Sequence, residues 1–249
     1  MARYFLEVAY KGTAYSGFQT QENAITVQSE VERALQVLER RQIKLTGSSR
    51  TDAGVHARQN FFHFDTEAGL HHQFIYKMNA ILPADIVIRG LYKVGSEAHA
   101  RFDAVTREYK YFIYGQKDPF LADRAYFFPY RIDREALREA AAILKEYTDF
   151  TSFSKRNTQV KTFLCRIDVS EWIEEGGCLV YHVVANRFLR GMVRALTATM
   201  LQVGRGKLDT AGFRAIIEAK DCTSASFAVP AHGLFLERVV FPYELEGGG

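Results

Sequence analysis

The sequence predicts an α+β protein made of two repeated ferredoxin-like β-α-β-β-α-β halves that share one mixed, largely antiparallel sheet with a central cleft. Three observations predict it. Strand-type alternation and helix-type apolar stripes follow one another in the order β-α-β-β-α-β, and the same order then recurs. The 249 residues are 47% hydrophobic and 13% aromatic, enough to fill a sizeable core. No low-complexity linker interrupts the chain, and the junction at 104–107 is short. The halves are therefore placed at 1–104 and 105–246, and the closing Gly247-Gly248-Gly249 is expected to be a disordered tail.

In the first half, Arg3 to Tyr10 alternates with Tyr4, Leu6, Val8 and Tyr10 on one face, as a strand does. Lys11 to Asn23 contains Gly12 and Gly17 and reads as a loop. A helix follows, with Thr26 as its N-cap, Glu30 in its first turn, and Val27, Val31, Ala34, Leu35 and Leu38 as its apolar stripe. Gln42 to Thr46 and Gln59 to Phe64 read as two strands. A second helix runs through Phe74, Ile75, Met78 and Ile81 and is stopped by Pro83, and Asp85 to Val94 is the last strand of the half.

The second half repeats the pattern. Glu108 to Gly115 is a strand with Tyr109, Tyr111 and Ile113 on one face, and Asp133 caps a helix carrying Leu137, Ala140, Ala141 and Leu144. Strands are expected at Val160 to Glu171 and Cys178 to Asn186, joined by a turn at Glu174 to Gly177. Helices follow near Leu189 to Gln202 and Asp209 to Ala219, and a final strand at Leu234 to Phe241.

Composition narrows the function classes. A net charge of +3 permits a nucleic-acid partner without demanding one. Three cysteines without a C-x-x-C pair argue against a disulfide framework or a zinc ribbon; Cys165, Cys178 and Cys222 read as buried or half-buried thiols. No apolar run is long enough to span a bilayer and the N-terminus lacks a signal-peptide core, so a cytoplasmic location with no membrane partner is expected. Phosphate-binding, H-E-x-x-H and G-x-S-x-G motifs are missing from the sequence, and His71-His72 has no partners at metal-ligand spacing.

The stretch Gly47 to Phe64, GSSRTDAGVHARQNFFHF, carries the strongest chemical signal. It places Asp52 among small and turn-forming residues, with Arg50 before it and His56 and Arg58 after it, on a loop between two expected strands. An aspartate in such a loop commonly caps a turn; a reactive carboxylate is the alternative. Basic residues gather at Arg187, Arg190, Arg194, Arg205 and Lys207, at Lys155, Arg156 and Lys161, and at Arg40, Arg41, Lys44 and Arg50, as a phosphate-tracking surface requires. On a helix starting near Phe188, the stripe Leu189, Met192, Val193, Leu196 and Met200 leaves Arg190 and Arg194 on the opposite side, which faces either solvent or a cleft holding Asp52.

Arg50-Thr51-Asp52-Ala53-Gly54-Val55-His56 resembles the signature of the tRNA pseudouridine synthase A (TruA) family, whose Asp is catalytic. Phe188-Leu189 with Met192-Val193-Arg194 is similar to the family motif whose Arg pairs with that Asp. Arg107-x-Tyr109-x-Tyr111 is similar to the motif whose first Tyr stacks in the uridine pocket. Tyr10-x-Gly12, Tyr15-x-Gly17-Phe18-Gln19, His99-Ala100-Arg101-Phe102, Asp149 to Phe153 and Gly233 to Leu236 extend the resemblance over nearly the whole chain. Departures are Phe18 where Trp is common, Ser48-Ser49 before Arg50, Leu70-His71-His72 where a basic contact is frequent, and the loop 156–162.

The resemblance implies an isomerase that turns uridine into pseudouridine in the anticodon stem-loop of tRNA, at positions 38 to 40, working as a homodimer with tRNA across both subunits. It implies Asp52 as nucleophile, Arg194 as its ion-pair partner and Tyr109 as the uracil-stacking residue. Arg50, His99, Arg101, Phe102 and Lys161 are the further expected substrate contacts. Uracil must leave C1′, rotate and rejoin through C5; with no redox change or group transfer, no cofactor and no metal are expected. An aspartate could attack covalently or remove the C2′ proton. Arg50 would fill the space left by a flipped base. Two rivals remain: a non-catalytic RNA-binding protein using Tyr109, Tyr111 and Phe61 as stacking platforms, and a phosphohydrolase needing a second acid near Asp52, the next one in sequence being Asp65.

Overall fold

The computed structural model describes residues 1–67, 69–156 and 160–247. The described chain is α+β, as expected, with nine strands and five α-helices. It divides into two units, Met1–Val105 with Leu236–Gly249, and Thr106–Phe235.

In the first unit, β1 (Ala2–Tyr10) lies between β3 (His56–Thr66) and β4 (Ile86–Val94), antiparallel to both. Flanked on both edges, β1 is buried on both faces from Phe5 onward, so its sequence alternation marks only half of what it buries. Helix α1 (Val27–Glu39) starts where expected: Thr26 accepts from Ser29 N, and the Ser29 hydroxyl answers Thr26 N, a reciprocal cap. Helix α2 (Phe74–Ile81) ends at Leu82, which is extended because it precedes Pro83.

The strand expected at Gln42 to Thr46 shrinks to β2 (Thr46–Gly47), paired with His63 and Phe62. Its alternation is real, since Ile43 and Leu45 are buried and Lys44 is exposed. Further along the same edge of β3, past Gly47's partner Phe62, lies β9 (Leu234–Val240). There Arg58 Nε meets Glu237 Oε1 at 3.1 Å, and Gln59 Oε1 accepts from Val239 N at 3.1 Å. Val105 N donates to Val240 O nearby. The residues from Leu236 onward therefore group with the first unit, not with the second half to which 105–246 assigned them.

In the second unit, β8 (Cys178–Ala185) lies between β5 (Thr106–Tyr114) and β7 (Ile167–Glu175), antiparallel to both, and β6 (Tyr126–Phe127) adds a short parallel pair to β5. The strand expected from Val160 starts only at Ile167. Residues just before it turn instead toward 148–150: Phe150 N donates to Phe163 O and Cys165 N to Thr148 O. Helix α3 (Arg134–Ile143) is capped by Asp133, which accepts from Glu135 and Ala136 N–H groups.

Helix α4 (Met192–Gly204) corrects the one-sided stripe. Every residue in it is buried except Arg194 and Gln202. Helices α3 and α5 (Thr210–Glu218) pack on faces that periodicity assigned to solvent. Arg190 stays exposed, ahead of the helix, and Gly191 at the N-cap has φ +76°, outside the region open to most side chains. The cysteines are free thiols, with Cys165 and Cys178 buried and Cys222 half-buried.

Candidate active site

The connection between β2 and β3, residues 48–55, is polar by sequence, yet Ser48, Ser49 and Thr51 are buried. Burying such backbone requires a partner for each N–H and C=O. Ser48 N donates to Phe61 O at 2.7 Å, Phe18 N donates to Thr51 O at 3.1 Å, and Val55 N donates to Asp52 O at 3.2 Å, closing a turn in which Gly54 has φ +79°. Asn60, fully buried on β3, holds both sides of Ser49: its Oδ1 accepts from Ser49 N (3.2 Å) and its Nδ2 donates to Ser49 O (2.8 Å). Nδ2 also reaches Tyr10 Oη at 3.3 Å, and Tyr10 Oη lies 2.7 Å from Thr51 Oγ1.

Two glycines permit this close packing. A Cβ on Gly12 would sit 1.9 Å from Val55 O, and Gly12 N donates to His56 Nδ1 at 3.0 Å. Gly17 has φ +105° and backs onto Thr51 O. Phe18, the departure from the family pattern, stacks on Phe62 (4.6 Å, 10°) and on Tyr10 (5.7 Å), filling the floor under the loop. Asp52 is thus a half-buried carboxylate on a backbone braced from three directions, with Arg50 exposed beside it. Bracing of this kind pre-sets the position of a reacting group before substrate arrives.

His99, Arg101 and Phe102 form a separate cluster in the same unit. His99 packs edge-on against His63 (4.5 Å) and at a 33° tilt against Phe102 (4.2 Å), while Arg101 lies 5.6 Å from the Phe102 ring centre. Phe102 is 74% exposed, an unusual cost for a phenylalanine and a ready ledge for a base. His63 is seven residues along β3 from His56, roughly 23 Å at strand rise, so this cluster is not part of the Asp52 loop. Burial pushes the His63 imidazole down to about 4, helped by the nearby His99 and Arg3. Burial also lowers His99, against the pull of Asp103.

In the second unit, Tyr109 is buried on β5 with Phe188 edge-on to its ring at 5.0 Å and 81°. Arg107 Nη1 donates to Asn186 O, tying down the approach to Phe188. Arg194 is half-buried, and its Nε and Nη2 both donate to Val229 O, at 3.0 and 2.6 Å. Tyr111, with no exposed surface, donates to Pro230 O at 2.7 Å, so two side chains anchor the 229–230 turn. The solvent-facing reading of Arg194 is therefore wrong: its guanidinium plane is fixed by two donors on one carbonyl. Lys161 is exposed.

Sequence reasoning missed Asn60, the Tyr10–Thr51 contact and the Val229 carbonyl. Asn60 left a signal, a lone amide ahead of the run Phe61-Phe62-His63-Phe64. Val229 left none, because a backbone acceptor is silent in sequence.

The α+β scaffold thus carries a braced carboxylate loop in its first unit and, in its second, a framed tyrosine ring and a fixed guanidinium. Residues 7–103 and 140–242 match the tRNA pseudouridine synthase family. The chain is 47% identical over 247 residues to the tRNA pseudouridine synthase A of Parabacteroides distasonis, covering 98% of each. It is 46% identical to the Porphyromonas gingivalis enzyme of that name, covering 98% of this chain and 99% of the other. With the Staphylococcus aureus enzyme of that name it shares 36% identity over 95% of this chain and 91% of the other. The chain belongs to the tRNA pseudouridine synthase family, and it is an isomerase of that class.

Proposed function

We propose that this enzyme isomerises uridine to pseudouridine in the anticodon stem-loop of tRNA, at positions 38 to 40, with Asp52 as the reacting carboxylate. The observation that carries the reading is the braced Asp52 loop, whose Arg50-to-His56 signature lies inside the family match. In the reaction the C1′–N1 bond breaks, the uracil rotates, C1′ bonds to C5, the C5 proton leaves and N1 is protonated. Asp52 serves by attacking covalently or by taking the C2′ proton. Unstacking the target base costs a few kcal/mol, and Arg50, exposed beside Asp52, is suited to fill the vacated space.

Tyr109 stacks on the flipped uracil, and Phe188 at its edge supports that role by holding the ring in one orientation. Arg194 pairs with Asp52 in this proposal; the family resemblance of its motif and the fixed plane of its guanidinium support it. His99, Arg101, Phe102 and Lys161 contact tRNA away from the reacting base. A homodimer in the cytoplasm completes the proposal; among the described residues no helix is long and apolar enough to cross a membrane.

The rivals fare worse. Phe61 and Tyr111 are 1% and 0% exposed, so neither is an RNA-stacking platform. Asp65 is held by Arg3 through two 2.8 Å hydrogen bonds at the far end of β3, away from Asp52. The test is release of tritium from C5 of uridine in tRNA. Asp52→Asn should still bind tRNA while releasing under about one per cent of the wild-type label; substantial turnover by this variant would defeat the assignment.

A further inference from the structure

In the turn at 99–102 every backbone N–H is accepted by a side chain. Asp103 Oδ2 accepts from His99 N at 2.8 Å, His63 Nδ1 from Ala100 N at 3.2 Å, and His99 Nδ1 from Arg101 N at 3.1 Å and Phe102 N at 3.3 Å. Tyr243 donates to the same Asp103 oxygen at 2.8 Å, and Arg3 Nη1 donates to Ala98 O at 3.0 Å. The turn is thus tied to β1, to β3 and to the segment after β9. Surface loops usually leave such groups to water; sealing all four fixes where Arg101 and Phe102 stand, although both side chains are exposed.

Of the three accepting side chains, only His63 comes from a strand. It is buried on β3, with the Phe5 ring at 6.2 Å and the His99 ring edge-on at 4.5 Å. Burial, with His99 and Arg3 nearby, keeps its imidazole neutral at physiological pH, and a neutral ring that accepts at Nδ1 carries its proton on Nε2. Ala100 is fully buried, so its N–H has no water to turn to if that acceptor is lost, and the turn must shift. We propose that His63 is a positioning residue for RNA binding: by accepting from Ala100 N it ties the turn to β3 and presents the Phe102 ring and the Arg101 guanidinium to tRNA already in place. This role rests on the reading that Arg101 and Phe102 contact tRNA. A contact set in advance needs little ordering when the RNA arrives, so its worth appears in affinity and not in the chemical step.

Steady-state tritium release separates the two claims. The Arg101→Ala, Phe102→Ala double variant tests the contact itself, and its KM for tRNA should rise about tenfold or more, the scale of one lost stacking contact; an unchanged KM would remove the contact and the role of His63 with it. His63→Phe keeps a ring and deletes the acceptor, and should raise KM about threefold to tenfold while kcat holds. His63→Asn, whose oxygen stands where Nδ1 does, should restore most of that loss. Added to the double variant, His63→Phe should raise KM no further, because nothing is left to position. An equal rise in both backgrounds, a loss confined to kcat, or a His63→Phe protein with wild-type KM would each overturn the role of His63 while leaving the RNA contact standing. The unsubstituted protein supplies a check that no folding defect can obscure: long-range ¹H–¹⁵N correlation should find the His63 proton on Nε2, and a proton on Nδ1 would refute the bond to Ala100.

Discussion

Replacing Asn60 with alanine removes the side chain that clamps the Asp52 loop to β3. Four hydrogen bonds disappear, two to Ser49, one to Tyr10 and one from Phe61 N, at 3.2, 2.8, 3.3 and 2.9 Å. More costly is what stays behind: Ser49 is buried, so its N–H and C=O lose partners in a place water reaches poorly. Each orphaned group costs about 1–3 kcal/mol, and relaxation of the loop toward solvent recovers part of it, giving an expected loss of about 3 kcal/mol. For a chain of this length each kcal/mol shifts Tm by about 2–4 °C, so thermal unfolding should drop by roughly 6–12 °C. Tritium release from tRNA should fall by at least about tenfold in kcat, as expected when a reacting group loses its preset position, with tRNA affinity little changed because Asn60 is buried. Asn60→Asp keeps the acceptor for Ser49 N and loses both donations, and should fall between. An Asn60→Ala protein that melts within 1 °C of wild type and turns over normally would refute the idea that this amide braces the loop.

Gly12→Ala should give little or no folded protein, because the added methyl meets Val55 O at 1.9 Å, backbone against backbone; soluble yield and circular dichroism check it. Tyr109→Phe should keep more tritium-release activity than Tyr109→Leu, since stacking needs the ring, and equal rates would remove Tyr109 from the uracil pocket. Arg194→Ala should lose both activity and stability, by about 3–5 kcal/mol if it leaves the Asp52 carboxylate without its partner, whereas Arg190→Ala should chiefly weaken tRNA binding in a salt-dependent way. His63 titrates near 4 when folded against 6.5 as its reference. The unfolded chain thus takes up the proton first, and stability present above pH 6.5 is lost as pH falls toward 4. Urea unfolding at pH 4.5 should show about 2 kcal/mol less stability from this group than at pH 7, a difference that His63→Gln should reduce.

Local signals carried most of the architecture. Thr26 and Asp133 marked helix starts because a capping oxygen must precede the first turn, and Pro83 marked an end because the residue before it cannot stay helical. The failures were tertiary. Ile43 and Leu45 alternate with exposed Lys44 and are buried as a strand's inner residues are, but only Thr46 and Gly47 pair with β3. Arg194 looked solvent-facing because periodicity shows how apolar residues cluster, not how many neighbours a helix has; with α3 and α5 on its other faces, α4 has almost no outside. The Asp52 loop was legible as a string, whereas most of its bracing was not: Tyr10 and Gly12 reach it from some forty residues away, and nothing local records such convergence.

The arrival of β9 beside β3 has a consequence for biosynthesis. Arg58 and Glu237 are separated by 179 residues, so the unit that carries Asp52 lacks an edge strand until the ribosome has nearly finished the chain. At translation rates of about 5–20 residues per second, that leaves the edge of β3 near Arg58 uncovered for roughly ten to thirty seconds, although β1 and β2 already pair with the strand. The Asp52 loop itself is not waiting on that strand, because Tyr10, Gly12, Phe18 and Asn60, which brace it, all precede the end of β3. A nascent chain stalled or clipped before Leu236 has the partners of its Asp52 loop in place but leaves an open edge on β3 at Arg58 and Gln59, a template for pairing with other chains.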